Sequence, residues 1–301
     1  MFQQIVLVDD TGLRPWAIEE LQKLSLKPVI SYPDGPKSQD ELIQRIASTD
    51  CVFVSWNTSL DADVLRKARH LKYIGMCCSL YSKEAANVDI SYAEEHNIAV
   101  TGIRDYGDEG LVEYIIAELI RLLKGIGEKR WRKEPVELTQ RKVGIIGMGK
   151  TGKMLADRLQ AFGARVRYYS RSRKPVAEQQ GIQYMNLKEL LNWSEIISLH
   201  LPKNTVALTE EEFSTLGSGK ILINTSLGLT FEKAPFEQWI SQEGNYAIFD
   251  GDGIGNHKSA FNRYPNIIST EIVSGWTLEA RDRLSNKVLE NVNQFVKPQD
   301  G

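Results

Sequence analysis

The feature that most limits the fold is an alternation, kept up along nearly the whole chain, between short β-branched runs and segments of helical period. Residues 5–8, 29–31, 51–54, 73–76 and 99–101 read as strands, with 14–24, 39–47, 62–68 and 82–96 as the helices between them. Turn signals at Pro33-Asp34-Gly35-Pro36 and Gly125-Ile126-Gly127 punctuate the pattern. Strands separated by helical stretches of about 10–15 residues require βαβ units and a parallel sheet. The alternation restarts at Lys142, with strands at 143–146, 166–170, 196–199, 221–224, 247–250 and 266–269. Helical patterns cover 150–162, 187–191 and 233–242, and a long final helix, 278–296, is stopped by Pro298. A chain of 301 residues has room for about two domains of ~150 residues. The fold class is therefore α/β, two doubly wound parallel-sheet domains, with a seam inside 103–142.

Composition removes several functions. A hydrophobic content of 42% with 25% charged residues is that of an ordinary folded chain. The net charge of −2 gives no basic field for nucleic acid or anionic lipid. No apolar run approaches the ~20 residues of a membrane span, and the N-terminus has no signal-peptide pattern. Three cysteines, Cys51, Cys77 and Cys78, fit neither a disulfide framework nor a zinc site. These features predict a cytoplasmic protein that handles a small molecule, without nucleic acid, membrane or metal. Segment 111–124 is apolar around nearly its whole circumference, which predicts burial between layers, and the charged stretch 128–134 after it reads as a solvated face.

The strongest chemical signal is Gly147-Met148-Gly149-Lys150-Thr151-Gly152. Alone, such a pattern is weak. Here it follows an apolar strand and opens an amphipathic helix with Met154, Leu155, Leu159 and Phe162 on one side. Gly147 permits the tight turn, Gly149 lets the backbone approach a pyrophosphate, and Gly152 lets helix and strand pack closely. The helix N-terminus adds N–H donors and a positive dipole end. The second strand ends in Ser170-Arg171-Ser172-Arg173, where a ribose 2′-hydroxyl would require a carboxylate. Hydroxyls and guanidinium groups suit a 2′-phosphate, so NADP(H) is the preferred cofactor and NAD(H) stays open.

With these motifs in place the chain resembles the D-isomer-specific 2-hydroxyacid dehydrogenases, most of all their NADP-dependent glyoxylate/hydroxypyruvate reductase branch. The resemblance rests also on Leu71-Lys72-Tyr73-Ile74-Gly75, Val112-Glu113, Ser198-Leu199-His200-Leu201-Pro202 and Ile223-Asn224-Thr225-Ser226. Toward the C-terminus it includes Asn266-Ile267-Ile268-Ser269-Thr270 and Gly275-Trp276-Thr277. It implies a nucleotide-binding domain, 103–271, inserted into a substrate domain of 1–102 plus 272–301, with the active site in the cleft between them. It further implies cofactor contacts at His200, Leu201, Pro202, Thr225, Ser226 and Asp250, and is compatible with a homodimer.

The same resemblance implies that the usual chemistry is missing. The family's substrate-binding Arg falls at Leu227, its Glu at or near Gly255, and its proton-donating His at Ile272. Its carboxylate-cradling loop is rewritten as Cys77-Cys78-Ser79-Leu80-Tyr81-Ser82. Replacements are sparse. Glu271 serves as a proton relay if the site raises its pKa. Tyr81 or Tyr106 can donate a proton, with Arg104 as a nearby charge. His257 reads as an exposed loop residue, and Asp250 with Asp252 supplies too few ligands for a metal. The expected function is NADPH-dependent reduction of a carbonyl substrate, or another hydride acceptor, other than an ordinary small 2-oxo acid. The alternative is a catalytically silent NADP(H)-binding sensor.

Overall fold

The computed structural model describes residues 1–297; Pro298, expected to stop the last helix, lies outside the described residues. The chain forms two compact units, Met1–Tyr106 with residues 277–297, and Gly107–Trp276. Both are built on all-parallel sheets, as the alternation requires.

In the first unit, β1 (Ile5–Leu7), α1 (Pro15–Gln22), β2 (Ile30–Ser31), α2 (Gln39–Ile46), β3 (Cys51–Val54), α3 (Ala62–Lys67), β4 (Tyr73–Ser79), α4 (Ile90–Glu95) and β5 (Ala99–Ile103) follow in order. The sheet order is β2-β1-β3-β4-β5. The long C-terminal helix, Leu278–Val296, packs on β4 and β5 through Ala280, Leu284, Val288 and Val292. Ser38, Asp61 and Asp89 cap α2, α3 and α4 by accepting from backbone N–H groups of their first turns.

Only the last part of the helix expected over 82–96 forms. The Leu60 N–H donates to the Asn87 carbonyl and the Asp89 N–H to the Leu60 carbonyl, so that stretch is committed to a bridge before the helix can start. All three cysteines are buried and free. Burial pushes the Cys78 thiol up to about 12, which leaves it protonated and inert at neutral pH.

The second unit continues with α5 (Asp108–Lys124), β6 (Lys142–Ile146), α6 (Lys150–Ala161), β7 (Arg165–Tyr169), α7 (Pro175–Gln179), β8 (Gln183–Tyr184), α8 (Leu187–Trp193) and β9 (Ile196–Leu199). Then come α9 (Glu210–Leu216), β10 (Ile221–Asn224), α10 (Lys233–Ile240), β11 (Tyr246–Phe249), the short α11 (Gly251–Ile254) and α12 (Lys258–Phe261), and β12 (Ile267–Ser269). The sheet order is β12-β11-β10-β9-β6-β7-β8. Successive strand residues face opposite layers. Val143, Ile145, Ile221 and Ile223 enter one core with Leu119, Leu155 and Leu159. Ile146, Ile197, Leu199, Leu222 and Phe249 enter the other with Phe236 and Trp239. Both faces are covered, which is why these strands read as continuous apolar runs.

Three local expectations change. In α5, Val112, Ile115, Leu119, Leu122 and Leu123 are buried, while Glu113, Ala117, Arg121 and Lys124 face solvent, so one face packs rather than the whole circumference. Trp131, inside the supposedly solvated 128–134 stretch, is 4% exposed and belongs to the core with Leu122 and Leu138. Arg132 covers its ring at 3.9 Å, so the charges around it shield an apolar anchor. Phe162 is the C-cap of α6 rather than part of its buried stripe, and is largely exposed.

The second core is centred on Phe236. Its ring lies 4.6 Å from Phe231, 5.0 Å from Phe261 and 5.8 Å from Phe249, and it is fully buried. Phe236→Ala is expected to lower stability by about 3–5 kcal/mol, measured by denaturant unfolding. A loss below about 1 kcal/mol would mean that this aromatic cluster is not close-packed.

Candidate cofactor and active site

The strand order β8-β7-β6-β9-β10-β11 comprises two mononucleotide-binding halves that diverge between β6 and β9. In such sheets ligands sit beyond the carboxyl ends of the strands at that switch point. The glycine motif occupies this position. Gly147 has φ +99°, and a Cβ there would lie 2.0 Å from the His200 carbonyl oxygen. A Cβ on Gly152 would lie 2.1 Å from the Gly147 carbonyl oxygen. Both glycines are required by the protein's own packing. Gly149 is different: it is the N-cap of α6, and a Cβ there would meet nothing within 4 Å. Without a side chain, Gly149 leaves this helix N-terminus open to an approach from outside, as a pyrophosphate requires.

Met148 is buried. Thr151 donates its hydroxyl to Asp108, and the Lys150 ammonium stands 3.7 Å from the same carboxylate. Their side chains thus hold the first turns of α5 and α6 together. What they leave open toward an anion is the set of backbone N–H groups at the α6 N-terminus. Nothing in the local pattern around Asp108 points across 43 residues to Thr151, so the sequence alone gives no sign of this contact.

At the end of β7, Ser170 is half-buried, and Arg171 and Ser172 are exposed. Arg173 is already engaged: its guanidinium donates to both Glu178 oxygens at 3.0 and 2.6 Å. Of the two arginines, Arg171 is the one with no partner among the described residues.

Beyond the switch point the remaining candidates cluster at the ends of β9, β10 and β11. The His200 Nε2 lies 2.9 Å from the Ser198 hydroxyl. Burial pushes its pKa down to about 4, so the ring is neutral at pH 7. Ser226 accepts from the Leu201 N–H at 3.1 Å and donates to the Leu199 carbonyl at 3.2 Å, which ties the β9 and β10 loops together. Pro202 is exposed beside them. Thr225 is 6% exposed, and its hydroxyl finds no partner among the described residues. Asp250 accepts from the Gly253 N–H and from the Ser274 N–H and hydroxyl. Asp252 follows, half-buried. Burial and then the Asp250 carboxylate push its pKa up to about 6, against the pull of Lys203.

Of the expected catalytic residues, Glu271 lies in this unit and Tyr81, Arg104 and Tyr106 in the first. Glu271 is 84% exposed at its side chain and paired with Lys258. The hydrogen bond and charge of Lys258 hold its carboxyl below the usual range. The raised pKa that a proton relay requires is therefore absent. Leu227 and Ile272 are exposed, at 45% and 71%. Tyr81, Arg104 and Tyr106 belong to the first unit. There Arg104 donates to the carbonyls of Leu80 and Tyr81 at 2.6 and 3.0 Å and lies over the Tyr81 ring at 5.3 Å, so it braces that loop. The Tyr106 carbonyl accepts from Arg283 at 2.8 Å.

Fold, glycine turn and strand-end cluster together define a dinucleotide-binding α/β domain. Residues 114–250 match the D-isomer specific 2-hydroxyacid dehydrogenase, NAD binding domain. A glyoxylate reductase of Thermococcus litoralis is 29% identical over 282 residues, covering 85% of this chain and 83% of that protein. A hydroxypyruvate reductase of Blautia hydrogenotrophica is 25% identical over 318 residues, covering 98% of this chain and 97% of its own length. A solved acyclic imino acid reductase in complex with NADPH and D-Arg superposes with a TM-score of 0.81 at 25% identity, over 97% of both chains. Over residues 114–250 the second unit is thus similar to the NAD-binding domain of the D-isomer-specific 2-hydroxyacid dehydrogenases, and most of the chain is similar to glyoxylate and hydroxypyruvate reductases. Among the described residues no helix is long and apolar enough to cross a membrane.

Proposed function

We propose that this chain is an NADPH-dependent reductase whose substrate is not an ordinary small 2-oxo acid. The observation that carries the cofactor role is Gly149, a glycine at a helix N-cap that the protein's own packing does not demand. Residues 107–276 hold the dinucleotide, and the other unit takes the substrate. The cofactor supplies a hydride. The protein supplies N–H donors at the α6 N-terminus, hydroxyl and guanidinium groups at Ser170 and Arg171, and polar groups at the ends of β9, β10 and β11.

The substrate restriction follows from residue chemistry. A 2-oxo acid needs its carboxylate neutralised and its oxygen protonated as hydride arrives. Where the family resemblance places an Arg and a His for this, the chain has Leu227 and Ile272. Neither can donate a proton or bind an anion. For a carbonyl substrate the proton donor would be Tyr81 or Tyr106. A second reading is favoured by the solved imino acid reductase. An iminium carbon accepts hydride while its nitrogen already carries the proton, so no acid is needed at the reacting atom. A chain without the usual acid suits a C=N substrate better than a C=O one.

Cofactor choice tests the first half. NADPH is expected to bind at least about tenfold more tightly than NADH, a difference of ~1.4 kcal/mol. Changing Ser170→Asp together with Arg171→Ala should reverse the order, because the new carboxylate repels a 2′-phosphate and accepts from a ribose hydroxyl. A fluorescence titration with equal affinities for the two nucleotides would remove the assignment of Arg171.

A further inference from the structure

Asp250 and Asp252, two residues apart after β11, are treated differently by the protein. The Asp250 carboxylate is saturated: the Gly253 N–H lies 2.8 Å from one oxygen, and the Ser274 N–H and hydroxyl lie 3.1 and 2.6 Å from the other. It is a buried structural cap. The half-buried Asp252 carboxylate accepts no hydrogen bond from any described residue. Its position is fixed all the same, because the Gly228 N–H donates to its backbone carbonyl at 3.0 Å and holds it beside the loop that follows β10.

The charged groups that act on it are Asp250, just after β11, and Lys203 from the segment after β9. The Lys258–Glu271 pair on the neighbouring segments neutralises itself. One strand away, the buried Thr225 hydroxyl also lacks a partner. Two polar groups withheld from the protein's own hydrogen bonds, at adjacent strand ends, point to a ligand.

If the adenosine half of the dinucleotide lies over β6, β7 and β8, the nicotinamide half lies over β9, β10 and β11. The nicotinamide ring is cationic when oxidised and neutral when reduced. We propose that Asp252 is the group by which this domain distinguishes the oxidised from the reduced cofactor, its carboxylate favouring the cationic ring. The assignment rests on the cofactor role proposed above. An ionised Asp252 also lowers the cost of the positive charge that appears on the ring as the hydride, with both its electrons, leaves for the substrate carbon. Because burial and the Asp250 charge push its carboxyl up to about 6, the preference is expected above that pH and should fade below it. A bound cation would in turn pull the pKa down.

The test is the pair of dissociation constants for NADP⁺ and NADPH, measured on the full chain and on Asp252→Asn between pH 5.5 and 7.5. At pH 7.5 the substitution is expected to weaken NADP⁺ about tenfold, equivalent to one pKa unit of coupling, and to leave NADPH within about twofold. In the unsubstituted protein the ratio of the two constants should shift about threefold across this range, and in the variant it should stay flat. The 2′-phosphate titrates in the same range but is common to both nucleotides, so it cancels in the ratio. Asp252→Ser, which also removes the charge, should give the same result and guards against a folding defect in the first variant. Equal weakening of both forms, or a ratio insensitive to pH and substitution, would overturn the assignment. Failure of either nucleotide to bind the unsubstituted protein would instead count against the cofactor role itself.

Discussion

Gly149→Asp is expected to abolish cofactor binding and leave the fold as stable as before. A Cβ at this position meets no protein atom within 4 Å, so nothing in the chain has to move. The backbone there has φ −82° and ψ −163°, an extended conformation that any residue adopts, and Asp is among the favoured helix N-caps. Thermal unfolding should therefore stay in place or shift slightly upward. The new carboxylate, however, occupies the path by which a pyrophosphate reaches the α6 N-terminus and repels it electrostatically. NADPH affinity should fall at least about a hundredfold, or ~2.7 kcal/mol. Gly152→Val gives the opposite pattern. Its Cβ would lie 2.1 Å from the Gly147 carbonyl oxygen, so strand and helix must separate. Overpacking of this kind against backbone costs about 3 kcal/mol, visible as a lower melting temperature before any cofactor is added. If both variants lost stability equally, Gly149 would be a packing glycine and the pyrophosphate site would be misplaced.

The second large effect concerns chemistry. In the proposed reading Leu227 and Ile272 take the places of a carboxylate-binding Arg and a proton-donating His, and the side chains of both are exposed rather than packed into either core. Loss of a positioned acid reduces the rate by roughly 10²–10⁴-fold. Loss of a positioned charge opposite a developing anion removes several kcal/mol more, at ~1.4 kcal/mol per factor of ten. Glu271 does not restore the acid, because Lys258 holds it ionised. Reduction of glyoxylate, pyruvate or hydroxypyruvate with NADPH should therefore be negligible even where the cofactor binds normally. Steady-state assays of NADPH absorbance with each acid check this.

Much of the fold is legible in the sequence because parallel sheets covered on both faces leave uninterrupted apolar strands. All four residues of β9 and of β10 are buried, and each is found by composition alone. The glycine turn is legible because its constraints are local: a strand, a tight turn and a helix within one motif. What the sequence misreads depends on distant partners. The stretch before α4 looks helical, yet its backbone is claimed by Leu60. Trp131 is hidden among charges because its burial depends on α5 and the Leu138 segment. Arg173 looks free to bind phosphate until Glu178 is seen to occupy it. Asp252 can be considered only as half of a metal pair until the sheet brings Lys203 and the β10 loop beside it. Side chains whose role is set by the next strand over carry no local signal.

The most direct test of the proposed reductase is NADPH oxidation by the full chain with two sets of acceptors in parallel. One set holds the 2-oxo acids alone. The other holds bulkier ketones and aldehydes that carry no carboxylate, alone and with an excess of amine so that the iminium forms in solution. Turnover confined to the second set, with NADPH preferred over NADH, is the predicted result. Brisk reduction of glyoxylate or hydroxypyruvate without amine would contradict it and show that an acid and an anion clamp exist where Ile272 and Leu227 leave none.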